Sequence, residues 1–273
     1  MKSKIIPCLA RALKDNLSGL LLLTFCFSAD AQPANPPLTR ADWGAPLVNV
    51  SRADGKWTIA GKKQIVTLDE KTLALDVNAQ SVDWKMFPSS TNDMIVKFHG
   101  EEFRLKLTDA KKISIQPYDT GFKTGIKITL SDFQHGDDNL DLTLYLEICL
   151  QGNDEDLVFD IAAHEGDAVL RRLQWPEALD PSGVDYTVLS NNKGDLLPSN
   201  WPHAYFPIRN LNNPKDHSVL QSHVIEDWSM SWWGFEKGDS AMMIIVETPD
   251  DAAYQFSHPA GGPTIIGPRW RDS

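Results

Sequence analysis

Between Leu189 and Trp233 the sequence sets Trp201, Trp228, Trp232 and Trp233, four of its nine tryptophans, among prolines, glycine and asparagines. Lys193, Asp195 and Arg209 fall in the same stretch. The Pro and Gly positions forbid a long helix or an unbroken strand here. Large indoles on irregular backbone are costly to leave in water, so they plug the edge of a core or wait for a ligand. The ligand that suits them is a sugar ring. Its C–H face stacks on an indole while Asp, Asn, Lys and Arg bond its hydroxyls. Trp228, Trp232 and Trp233 are therefore candidates for a stacking platform, with Asp195, Lys193 and Arg209 as its polar contacts.

Other chemistries find less support. Asp132, His135, Asp137, Asp138 and Asp141 cluster, but their glycine, Gly136, precedes most of the acids, so the spacing is not that of a calcium loop. The seven histidines, His99, His135, His164, His203, His217, His223 and His258, show no paired-ligand spacing. No metal or cofactor is expected. No GxSxG elbow is present, and Cys149 lies in a strand-like run as a small hydrophobe. Glu226-Asp227 and Asp250-Asp251 are neighbours, and neighbours on an extended chain point to opposite faces. No catalytic carboxylate pair can be assigned from them. A sugar epimerase would need a His acid and a Glu or Asp base on one sheet face, and His203 with Glu236 are the nearest candidates.

The elements that must position these residues are strands. Leu140, Leu142, Leu144, Leu146, Ile148 and Leu150 alternate with Asp141, Thr143, Tyr145, Glu147 and Cys149, the period-two pattern of a half-buried strand. The same alternation recurs over 73–77, 103–107, 113–115, 126–130 and 157–161, with turns such as Asp54-Gly55 and His99-Gly100 between them. Short, evenly spaced strands predict an all-β antiparallel fold of two large stacked sheets. Ala241 to Val246 is apolar at every position, which predicts a central strand covered on both faces and tied to the aromatic stretch.

Ahead of this, Lys2, Lys4, Arg11 and Lys14 precede an apolar run from Leu17 to Phe27 and then Ala29-Asp30-Ala31. That is the pattern of a cleaved export signal over 1–31, followed by a Pro-rich arm over 32–40 and a sandwich domain over 41–273. An apolar run of about a dozen residues falls short of the roughly 20 a membrane-spanning helix needs. The expected location is periplasmic or extracellular. Removing the leader takes Cys8 and Cys26 with it, leaving Cys149 alone and no intrachain disulfide. The net charge of −11 argues against nucleic acid and anionic membrane as partners and leaves neutral glycans open.

Leu173-Gln174-Trp175-Pro176, the run from Leu189 to Pro198, Trp232-Trp233-Gly234-Phe235-Glu236 and Ile244 to Asp251 resemble, in that order, a known family. They are similar to the N-terminal domain of bacterial glycoside hydrolases related to the endo-α-N-acetylgalactosaminidases of families 101 and 129. The resemblance implies a galactose-mutarotase-like β-supersandwich followed by a (β/α)8 catalytic barrel. In those enzymes the catalytic carboxylates sit on the barrel, so none is expected here. Three readings follow: a non-catalytic sandwich domain supporting a barrel, a stand-alone carbohydrate-binding module, and a mutarotase-like epimerase.

Overall fold

Alternating apolar and polar residues become strand throughout the computed structural model, which describes residues 39–40, 42, 44–80, 82–191, 193–205, 220–223, 228–248 and 252–270. The leader, most of the Pro-rich arm and Arg209 lie outside the described residues. β1 (Asn49–Ala53), β2 (Lys56–Ala60), β3 (Gln64–Asp69), β4 (Leu75–Ala79) and β5 (Val82–Met86) form a five-stranded meander. Its first turn places Asp54 at φ 51° and Gly55 at φ 73°, the paired left-handed residues that let a two-residue turn follow the strand twist. β6 (Met94–Phe98) and β7 (Glu101–Leu105) make the next hairpin. β8 (Lys112–Asp119) and β9 (Lys123–Ser131) then precede a small hairpin of β10 (Phe133–His135) and β11 (Asp138–Leu140). β12 (Leu142–Gln151) and β13 (Asp156–Glu165) complete a four-stranded sheet in the order β13-β12-β9-β8.

β14 (Val169–Leu173) pairs with β6. β15 (Tyr186–Asn191), β16 (Asp195–Pro198), β18 (Trp228–Lys237) and β19 (Ser240–Ile245) form a four-stranded sheet in the order β16-β15-β18-β19. β17 (Leu220–His223), β20 (Ala252–Ser257) and β21 (Ile265–Trp270) join β14, β6 and β7 in a six-stranded sheet. Every named strand pair is antiparallel. The one helical element among the described residues is a 3₁₀ turn, Leu107–Asp109, and none of their helices is long and apolar enough to cross a membrane.

Each sheet sends one face inward. Val66, Leu68, Leu75 and Val77 from the meander meet Ile126, Ile128, Leu144, Leu146 and Ile148 from the second sheet in one hydrophobic cluster, with Met94, Val96, Trp233, Phe235, Tyr254 and Phe256. β12 follows its pattern closely: Leu142, Leu144, Leu146, Ile148 and Leu150 are buried. Its opposite face carries Glu147, which binds Lys123 at 2.9 Å, and Lys123 also reaches Asp160 at 2.6 Å. Burial works against the charge on Lys123, but the two carboxylates outweigh it and raise the amine's pKa. Cys149 is fully buried, and burial pushes its thiol up to about 12, which removes it as a nucleophile.

The expectation of a central strand at Ala241 to Val246 is corrected. β19 is the outer strand of its sheet, and exposure alternates along it, with Met243 at 60% and Ile245 at 58%. Met242 and Ile244 pack against the core, while their neighbours face away from it. A continuous apolar run reads as two covered faces. Here one of the two is bare.

Candidate functional site

The sheet β16-β15-β18-β19 positions most of the residues singled out from sequence, and pairing fixes which of them share a face. Leu197, Thr187, Phe235 and Met242 lie in one row across the four strands. Leu189, Trp233 and Ile244 lie in the next row of that inward face. The outward rows are Leu196, Val188, Gly234 and Met243, then Trp232 beside Ile245. Leu196 is 56% exposed, and Met230, two residues before Trp232, is 58% exposed. The outward face is thus apolar across all four strands, broken mainly by Glu236. A shallow groove of about 520 Å³ crosses it, bounded by Val188, Trp232, Met243 and Glu236.

A three-tryptophan platform is not what this geometry presents. Trp233 is fully buried and Trp228 nearly so. Their rings meet edge to face at 6.2 Å, and the Trp228 indole N–H donates to the Tyr254 hydroxyl at 3.0 Å. Both indoles have their faces filled by protein, so neither offers one to a sugar. Trp232 points the other way and is partly exposed. Two residues apart would share a face, whereas Trp232 and Trp233 are adjacent and must part.

The polar candidates divide too. Asp195 pairs with Leu189 at the edge of the inward face, where it accepts hydrogen bonds from the Tyr205 hydroxyl and, at 3.2 Å, from Asn191 Nδ2. Burial, then the Asp195 carboxylate, raise the Tyr205 phenol above its ordinary pKa. Lys193 stands exposed in the turn between β15 and β16. Arg209 lies outside the described residues. His203 is exposed beside Trp201, ring centroids 6.4 Å apart, and Glu236 is exposed on β18.

A second polar cluster escaped the reading by motif. Asp93 is fully buried, and its carboxylate accepts from Ser90 N at 2.6 Å, Leu107 N at 2.7 Å and Ser89 Oγ at 2.5 Å. Glu177 hydrogen-bonds to Asp93 and accepts from Gln174 Nε2 at 2.5 Å. Burial, then the hydrogen bond and charge of Asp93, push the Glu177 carboxyl up to about 10. Two carboxyls in a dry site cannot both ionise. Glu177 is therefore a neutral acid at pH 7. Gln174, Trp175 and Pro176 carried part of the family resemblance, but the partner Asp93 lies too far away in sequence for spacing to link it to Glu177. Among the described residues no group of three or more His, Cys, Asp or Glu is arranged to hold a metal ion.

These sheets define an all-β antiparallel domain with a bare apolar face. Solved structures share its fold: the α-N-acetylgalactosaminidase NagBb from Bifidobacterium bifidum, as a quadruple mutant, superposes with a TM-score of 0.62 at 19% identity over 78% of this chain. The same enzyme in complex with GalNAc gives a TM-score of 0.61 at 19% identity over 82% of this chain. In both cases the match covers 33% of the enzyme, so the chain spans about a third of its length. No family model matches the sequence, and no curated protein matches it in sequence.

Proposed function

We propose that this chain is the N-terminal, non-catalytic β-supersandwich domain of an exported glycoside hydrolase acting on glycans, and that it supports a (β/α)8 catalytic barrel through the outward face of β16-β15-β18-β19. The observation that carries this reading is that face. Leu196, Val188, Trp232, Met243 and Ile245 form a contiguous apolar surface on a sheet whose other side is already packed, and contiguous apolar surface of this kind marks an interaction site. A catalytic domain of the same polypeptide is the occupant that the fold likeness favours, because the matched region is a third of a glycosidase. The leader pattern supports export, and the fold shared with a third of a glycosidase supports a domain of such an enzyme.

The test is the intact mass of the native protein in its source cell. A species far above the 30.5 kDa of this chain, with activity on α-linked N-acetylgalactosaminides, would support the reading. A species at or below that mass would sink it. The exposed part of Trp232 and the exposed Trp201 favour a second reading, a carbohydrate-binding module whose platform is smaller than three indoles. A glycan-induced fluorescence shift lost in Trp232→Ala would support it.

A further inference from the structure

Beyond the docking face, we infer that the cavity between loop 87–92 and segment 174–178 is a binding site for one uncharged sugar residue. The cavity holds about 340 Å³, at the low end of the roughly 300–1,000 Å³ of small-molecule sites, which suits one ring and not a chain of them. Phe87, Pro88 and Ile265 give it an apolar wall, and Ser90, Asn92 and Gln255 add neutral hydrogen-bonding groups. No Lys or Arg among the described residues lines it, so an anion finds no counter-charge there. The carboxyl that lines it, Glu177, holds its proton against the buried Asp93, so a cation has none either.

The polar groups are already half committed, and what remains matches a hydroxyl. Asn92 Oδ1 accepts from Arg104 at 2.7 Å, which leaves its amide N–H groups to donate. Gln174 lines the cavity, is 6% exposed, and gives its Nε2 to Glu177. Its Oε1 is buried and finds no hydrogen-bond partner among the described residues. A buried acceptor without a donor is costly, and a group that both donates and accepts relieves it. Sugar hydroxyls do both, and the ring's C–H face suits the Phe87 and Ile265 wall.

Ligand-observed NMR on the whole chain with galactose, N-acetylgalactosamine and glucose tests this, with acetate and tetramethylammonium as charged probes. The expected result is a sugar that saturates at about 1–10 mM, while the charged probes do not bind. Asn92→Ala, in an exposed loop, and Gln255→Ala should each weaken it at least about fivefold at an unchanged melting temperature. The inference is overturned if no sugar saturates well above that range, if both variants bind like the parent, or if a charged probe binds better. It is also overturned if Trp232→Ala removes the binding, since the sugar would then sit on the outward face. The docking reading stands apart, because it predicts a partner domain and not a monosaccharide.

Discussion

At the scale of single residues, the Asp93–Glu177 pair makes stability depend on pH in a direction opposite to the usual carboxylate. The Glu177 carboxyl titrates near 10 in the folded chain against an ordinary 4.5, so between those values the folded state keeps a proton that the unfolded state has lost. Stability from this group is complete below about pH 4.5 and drains away as pH rises toward 10, by at most about tenfold in the folding equilibrium per pH unit. Urea unfolding at pH 5, 7 and 9 should show that fall, and Glu177→Gln, which keeps a donor for Asp93, should flatten it. An equal slope in parent and variant would refute the shared proton. The tryptophans give a second contrast at this scale. Trp233→Ala empties a buried site and should cost about 3–5 kcal/mol, whereas Trp232→Ala, on the outward face, should cost clearly less. Equal losses in denaturant midpoint would mean that the two faces are wrongly assigned.

At the scale of elements, close approach between β9 and β12 leaves room for nothing but hydrogen at Gly125. A Cβ there would lie 1.9 Å from the Ile148 carbonyl oxygen, and backbone cannot swing aside as a side chain can. Gly125→Ala should destabilise by at least about 1–3 kcal/mol, read as a drop in melting temperature, while Gly55→Ala, with open space around it, meets only the strain of its left-handed turn. How far the sequence disclosed such elements depended on whether each strand has one wet face. β12 announced itself because Glu147, Tyr145 and Thr143 alternate with buried leucines. β19 misled because both of its faces are apolar, and composition cannot distinguish a face covered by this chain from one left bare. The candidate site was legible only as a neighbourhood. Trp228, Trp232 and Trp233 do lie on one strand, but the strand's period sends Trp232 away from Trp233, and Asp195 faces Tyr205 instead of joining Trp232. The Asp93–Glu177 pair was hidden because a contact made across the fold leaves no trace in spacing.

At the scale of the whole molecule, the bare face of β16-β15-β18-β19 sets how the chain behaves alone and in company. Among the described strands β19 pairs with β18 alone, and it exposes the side chains of Met243 and Ile245; a sheet edge beside an apolar face is the combination that drives edge-to-edge or face-to-face association. The chain by itself should self-associate as concentration rises in sedimentation velocity. Met243→Lys with Ile245→Lys should return it to monomer without lowering its melting temperature, because neither side chain is packed in the core. Within a longer polypeptide the sign reverses. There the same pair of substitutions places two ammonium groups under the docked domain, where burying unpaired charge is costly. If the proposed docking holds, the expected outcome is loss of cooperative unfolding between the two domains and a fall in the longer protein's glycosidase activity, while this all-β domain still melts as before. A parent chain that stays monodisperse at high concentration, together with unimpaired activity of the doubly substituted longer protein, would remove the face as a docking surface and leave the shared fold without its proposed role.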